Sequence, residues 1–253
     1  MAAVAPSGWL HLAFFGIIVP ISAIRSQKLI ERHHFLPQRR RYFVSILAQV
    51  LIFTAFSVVV ARFNGIEIFP RAFPPRGALL AGCAFLAIAV PFGWTRWTKA
   101  VRERKRIVAL FMPTDKTESA LWVASAAVAG FGEEATWRGV QMALLLRLTG
   151  NVLAAAAICV VMFSIAHAVQ GWSSVGAISV FAAAFHVIVW MSGSLYVAMA
   201  VHFIYDLIAG FSYAYLGRKL GYPGFGVRSS GFGETEQQTP NSELLIPQNE
   251  QPE

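Results

Sequence analysis

Seven residues between positions 133 and 206 have the types and spacing of a hydrolytic site. Glu133, Glu134 and Arg138 stand in "GEEATWRG", Phe163 and His167 in "MFSIAH", and His202 and Asp206 in "VHFIYDL"; His186 lies between the last two groups. Glu134 and Arg138 are four apart, so on a helix they share a face and can pair. Glu133 is turned about 100° away from Glu134. The adjacent carboxylates therefore divide into one committed to Arg138 and one free to take a proton, with exchange of those roles as the alternative. His167 lies four beyond Phe163 and His202 four before Asp206, again one face each. A carboxylate beside an imidazole fixes its tautomer and raises its basicity. Such groups deprotonate a water, aim it at a carbonyl and receive the developing charge. No Ser or Cys is matched to an acid and a base, which disfavours a covalent nucleophile.

The elements that must carry these residues are apolar. The chain of 253 residues is 56% hydrophobic and only 13% charged, against about 25% charged in soluble domains, and its mean hydropathy is +0.56. Seven candidate membrane spans follow, at about 8–24, 42–63, 77–95, 118–147, 151–171, 174–192 and 194–217. The expected fold class is all-α, a polytopic transmembrane helical bundle. The fourth span is too long for a perpendicular crossing, and the last two are joined by a very tight hairpin. The first lacks the basic flank and cleavage site of a secretory signal and reads as a retained span. Charge in such helices is costly, roughly 2.5–3.5 kcal/mol for a central Asp, Lys or Arg, so ionisable groups there mark a functional site.

Three regions are expected: N-terminal transmembrane helices with basic linkers over 1–117, a catalytic helical core over 118–220, and a disordered polar tail over 221–253. Within the tail "SELLI" reads as a docking peptide or an incidental apolar patch. The net charge of +8 sits mostly in "RSQKLIERHHFLPQRRR" and "RWTKAVRERKRIVALFMPTDK", which places the first and third linkers and the C-terminus in the cytoplasm and the N-terminus outside. Nothing points to nucleic acid. Cys83 and Cys159 read as small core residues, His186 as a packing or lumen residue, and Arg147 as a snorkelling helix-end cation. His11, His33 and His34 read as interfacial terminal or loop residues.

The three motifs together resemble the CPBP family of CAAX proteases and bacteriocin-processing intramembrane proteases, to which the Ras-converting CAAX endopeptidase belongs. Its EExxxR motif is matched by Glu133, Glu134 and Arg138, its FxxxH by Phe163 and His167, and its HxxxN/D by His202 and Asp206. The resemblance covers roughly 118–212. It implies an intramembrane endopeptidase acting on a membrane-associated substrate within the lipid bilayer, a prenylated CAAX tail among the candidates. Glu133 would be the base, His167 a helper holding the same water and His202 an oxyanion donor. Glu134, Arg138 and Phe163 would support them. The eukaryotic branch carries Asn where this chain has Asp206, so here Asp206 orients His202 or binds a metal. No cofactor is required on the favoured reading; the alternative is zinc on His167, His202 and Glu133. The competing functions are a non-proteolytic scaffold or bacteriocin-immunity protein on the same fold and a proton-coupled transporter.

Overall fold

A computed structural model describes residues 3–33, 36–69 and 74–223. These form seven long helical stretches, the short 3-10 segments Arg106–Phe111 and Ala168–Gln170 and, among the described residues, no strand. Helix α1 runs through Pro6–Ala13, a π-helical turn Phe14–Ile18, and Val19–His33. Helix α2 is Arg39–Asn64 and α3 is Arg76–Arg102. Helix α4 is built from Lys116–Glu134, a π-helical segment Ala135–Gln141, and Met142–Thr149. Helix α5 is Val152–Ala166, α6 Trp172–Ser192 and α7 Tyr196–Lys219. The seven match the expected spans in order and place.

Five are long and apolar enough to cross a membrane: Pro6–Arg32, Arg39–Asn64, Arg76–Arg102, Trp172–Ser192 and Tyr196–Lys219. With the apolar composition, they make this an integral membrane protein. The other two are α4 and α5. Helix α4 is interrupted by its π segment, and α5 has 15 residues, about 22 Å, so it stops short of the expected span.

Local signals explain the boundaries. Asp115 caps α4 by accepting from the Glu118 N–H at 2.8 Å, and Asn151 caps α5 by accepting from Leu153 and Ala154 at 2.9 and 3.1 Å. The α6–α7 hairpin is as tight as expected. Gly193 takes a φ of 62°, which favours glycine, and the Ser192 hydroxyl donates to the Ser194 carbonyl at 2.6 Å.

Helices α2 and α7 pack on α4, and α3 packs on α7 and α6. Arg39 donates to the Met112 carbonyl at 3.1 Å and pairs with Glu118 at 3.2 Å. Arg96 donates to the Ser173 carbonyl, and the Tyr222 hydroxyl to the Lys105 carbonyl. One face of the bundle thus gathers the starts of α2, α4 and α6 and the ends of α3 and α7, and with them most of the basic residues.

Two expectations are corrected. Cys83 is exposed, on the outer side of α3, while Cys159 is buried. His11 is fully buried rather than interfacial. Its Nδ1 meets Gln141 Oε1 and its Nε2 meets Ser57 Oγ, both at 2.9 Å, and Ser57 continues to Thr136 Oγ1 at 3.1 Å. Burial is possible because every polar atom of the ring finds a partner. His34, the side chain of His33 and the tail from 224 onward, with its "SELLI", lie outside the described residues.

Candidate active site

The seven residues read from the sequence come from three helices, and His186 lies on a fourth. Glu133 and Glu134 end the α-helical part of α4, and Arg138 lies in the π segment behind them. His167 follows the last residue of α5. His186 is on α6, and His202 and Asp206 are on α7. Close approach of α4 and α7 depends on Gly130. A Cβ there would lie 2.7 Å from the Phe203 nitrogen and 2.9 Å from its Cα, so no larger residue lets the two backbones meet.

Glu134 is the paired carboxylate. Its side chain and that of Arg138 are wholly buried, with Nη1 3.0 Å from Oε1. The same oxygen accepts from His202 Nδ1 at 2.9 Å. The Arg138 guanidinium also lies 4.2 Å from the Phe163 ring centroid and 5.5 Å from that of Phe185. A delocalised cation over a ring face is attracted by its quadrupole. A paired, aromatic-flanked arginine is tolerable in an apolar bundle where a bare one is not.

Glu133 faces the other way, onto a cavity of about 800 Å³. His167, His202, Asp206, Phe163 and Thr136 line the same cavity, and Glu134 and Arg138 do not. Glu133 Oε2 lies 3.5 Å from His167 Nε2 and has no hydrogen-bond partner. His167 Nδ1 donates to the Phe163 carbonyl at 2.8 Å. A carbonyl only accepts, so the proton of the neutral ring is fixed on Nδ1 and the Nε2 lone pair is turned to Glu133. Two acceptors then face each other across a gap that suits a shared proton or a polarised O–H group.

His202 is gripped on both sides. Nδ1 donates to Glu134, and Nε2 lies 3.4 Å from Asp206 Oδ2, too long for a good hydrogen bond. The structure therefore gathers Glu133, His167, His202 and Asp206 on one cavity wall with Glu134, Arg138 and Phe163 directly behind. His186 stays apart: its Nε2 has no hydrogen-bond partner, and it does not line the cavity.

A zinc set of His167, His202 and Glu133 does not fit this geometry. His202 turns Nδ1 to Glu134 and Nε2 to Asp206, so the three side chains as placed do not close around one ion. Among the described residues no group of three or more His, Cys, Asp or Glu is arranged to hold a metal ion.

The sequence reading missed the polar chain behind the site, His11–Ser57–Thr136 and His11–Gln141. Thr136 and Gln141 stand three and eight residues beyond Glu133, and their polarity inside an apolar run was the available signal.

Residues 116–208 match the family model Rce1-like, described as type II CAAX prenyl endopeptidase Rce1-like. The segment contains every motif residue, and the family recognition drawn from those motifs is borne out. No curated protein and no solved structure matches the chain.

Proposed function

We propose that this protein is an intramembrane endopeptidase of the CAAX type that hydrolyses a peptide bond of a membrane-associated substrate with a water activated by Glu133 and His167. The observation that carries the reading is the pairing of an unpartnered Glu133 oxygen with the Nε2 lone pair of His167, 3.5 Å apart on a cavity wall. The match of residues 116–208 to a CAAX endopeptidase family supports it.

The chemistry follows from the donors and acceptors. A water between the two groups gives one proton to Glu133 and is held by His167, and its oxygen forms a bond to the substrate carbonyl carbon. The carbonyl oxygen becomes an oxyanion. Both ring nitrogens of His202 face carboxylates, an arrangement that suits a ring protonated on each, and its Nε2–H turns from the long Asp206 contact to the oxyanion. Collapse breaks the C–N bond, and the proton on Glu133 passes to the leaving amine. Each step is a general acid–base transfer, which typically contributes 10²–10⁴-fold. No step needs a metal. With its basic face in the cytoplasm, by the positive-inside rule, the cavity receives substrates from that side.

The test is cleavage of quenched fluorescent peptides, farnesylated CAAX sequences included, by detergent-purified protein. Wild type is compared with Glu133→Ala, each with and without a chelator. Cleavage that Glu133→Ala abolishes and the chelator spares is the expected result. Cleavage that survives Glu133→Ala overturns the assignment, and cleavage lost to the chelator overturns the metal-free step.

A further inference from the structure

Glu133 Oε2 has no hydrogen-bond partner among the described residues, although a hydroxyl stands three positions on. Residues i and i+3 of a helix are neighbours, about 5–6 Å apart at Cβ, and Thr136 shares the cavity wall with Glu133. A hydrogen bond donated to a carboxylate stabilises its charged form and makes it a poorer base. The Thr136 proton goes elsewhere.

Thr136 Oγ1 lies 3.1 Å from Ser57 Oγ of α2. Ser57 Oγ has two nearer claimants for its own proton, the Phe53 carbonyl at 2.8 Å and His11 Nε2 at 2.9 Å. A serine hydroxyl carries one proton, and a carbonyl only accepts. Whichever claimant takes that proton, none is left for Thr136, so Thr136 is the donor in its contact with Ser57. Ser57 and His11 are wholly buried and Thr136 is 2% exposed, which keeps bulk water from competing for these protons. The His11 ring is itself fixed. Its Nδ1 meets Gln141 Oε1 at 2.9 Å, and the Phe15 and Phe56 ring centroids lie 4.5 and 5.6 Å from its own.

Resting on the endopeptidase reading, we infer that Ser57 is a positioning residue: backed by His11, it draws the Thr136 proton away from Glu133 and so keeps that carboxylate free to take a proton from water. Helices α1 and α2, which lie outside the matched segment 116–208, then belong to the catalytic apparatus. The competing role for the cluster is packing alone.

Cleavage of the quenched peptides by full-length protein is resolved into kcat and KM. Ser57→Ala removes the acceptor, and the freed Thr136 hydroxyl turns to Glu133. The expected result is a kcat lowered about 10- to 100-fold, the worth of a hydrogen bond to a charged group, with KM little changed. Adding Thr136→Val to that variant removes the interfering proton and is expected to restore most of the lost rate. Ser57→Cys, close in size and a weak acceptor, is expected to behave as Ser57→Ala and replaces it where Ser57→Ala is poorly folded. A packing role gives the opposite: each change lowers thermal unfolding, and the double variant cleaves no better than Ser57→Ala. That result overturns the inference, as does a wild-type kcat in Ser57→Ala.

Labelling of Glu133 by dicyclohexylcarbodiimide, read by mass spectrometry with Glu133→Gln as the blank, follows the same carboxyl without a substrate. A carbodiimide adds to the protonated carboxyl, so labelling is expected to slow in Ser57→Ala and to recover in the double variant. Labelling in that order with no peptide cleaved by wild type sinks the endopeptidase reading and leaves the role of Ser57 standing. Equal labelling of the three proteins overturns the role of Ser57.

Discussion

His202 and Arg138 share a single oxygen: Nδ1 of one and Nη1 of the other reach Oε1 of Glu134 at 2.9 and 3.0 Å. That oxygen ties α7 to α4 beneath the cavity, and it separates the two adjacent glutamates by what each holds.

Glu134→Gln leaves the Arg138 charge buried without its counter-ion. Removing one member of a buried pair costs about 3–5 kcal/mol, so thermal unfolding in detergent shifts far downward. Glu133→Gln touches a partly exposed side chain on the cavity wall. It is expected to change stability by less than about 1 kcal/mol while cleavage is lost. The opposite pattern exchanges the two roles.

Gly130→Ala drives a methyl group into the α7 backbone at Phe203, the residue after His202. Backbone atoms cannot rotate aside, so α7 moves and the Glu134–His202 bond lengthens. Cleavage is expected to fall about 10²-fold, as for a displacement of about 1 Å at a reacting centre. Gly77→Ala, where an added Cβ meets nothing within 4 Å, serves as the control and should leave the rate unchanged.

His11→Ala removes the ring that joins Gln141 to Ser57. Each polar group left unpaired costs about 1–3 kcal/mol. Unfolding is expected to be lowered by that order, with cleavage reduced because Thr136 on the cavity wall loses its support through Ser57. A double-mutant cycle of His11→Ala with Ser57→Ala checks it, since the paired change should cost less than the sum.

Asp206→Asn keeps a polar partner 3.4 Å from His202 Nε2, whereas Asp206→Ala removes it. The first is expected to retain cleavage within about tenfold and the second to lose more, the worth of a hydrogen bond or two. Equal rates for the two variants show that Asp206 does not orient the ring.

Asp115, at the basic face outside the spans, titrates in a defined direction. The Glu118 N–H that it accepts, then the Arg40 guanidinium at 2.7 Å, hold its carboxyl below the usual carboxylate range. Its pKa is lower folded than unfolded, so its contribution is fully present above the unfolded value and is lost as pH falls through the folded one. The stability difference between wild type and Asp115→Ala should shrink over that acidic window and not at neutral pH. Unfolding measured against pH for both proteins shows it.

Much of this arrangement is legible in one dimension. Helices need only local apolar runs, and the seven stretches stand where the runs stand. Glu134–Arg138, Phe163–His167 and His202–Asp206 are each four apart, and all three meet as helical geometry dictates. What escapes is whatever depends on distant chain. His11 reads as an interfacial residue because Ser57 and Gln141, which make its burial tolerable, lie 46 and 130 positions away. The bond from His202 to Glu134 spans 68 positions. Cys83 reads as core because composition cannot say which side of α3 meets lipid. The π segments are invisible for a related reason: their contacts are with distant chain, as where Phe15 of one meets Trp137 of the other at 5.5 Å.

The π segment Ala135–Gln141 sets the phase of α4. A π turn holds one more residue than an α turn, so the chain beyond it is rotated against the chain before it. Deleting one residue there would restore an unbroken α-helix and turn everything downstream by about 100°. Either the glutamates would leave the cavity and Arg138, or Gln141 and Leu144 would swing out of the core they fill. The extra residue lets one continuous rod present two incompatible faces.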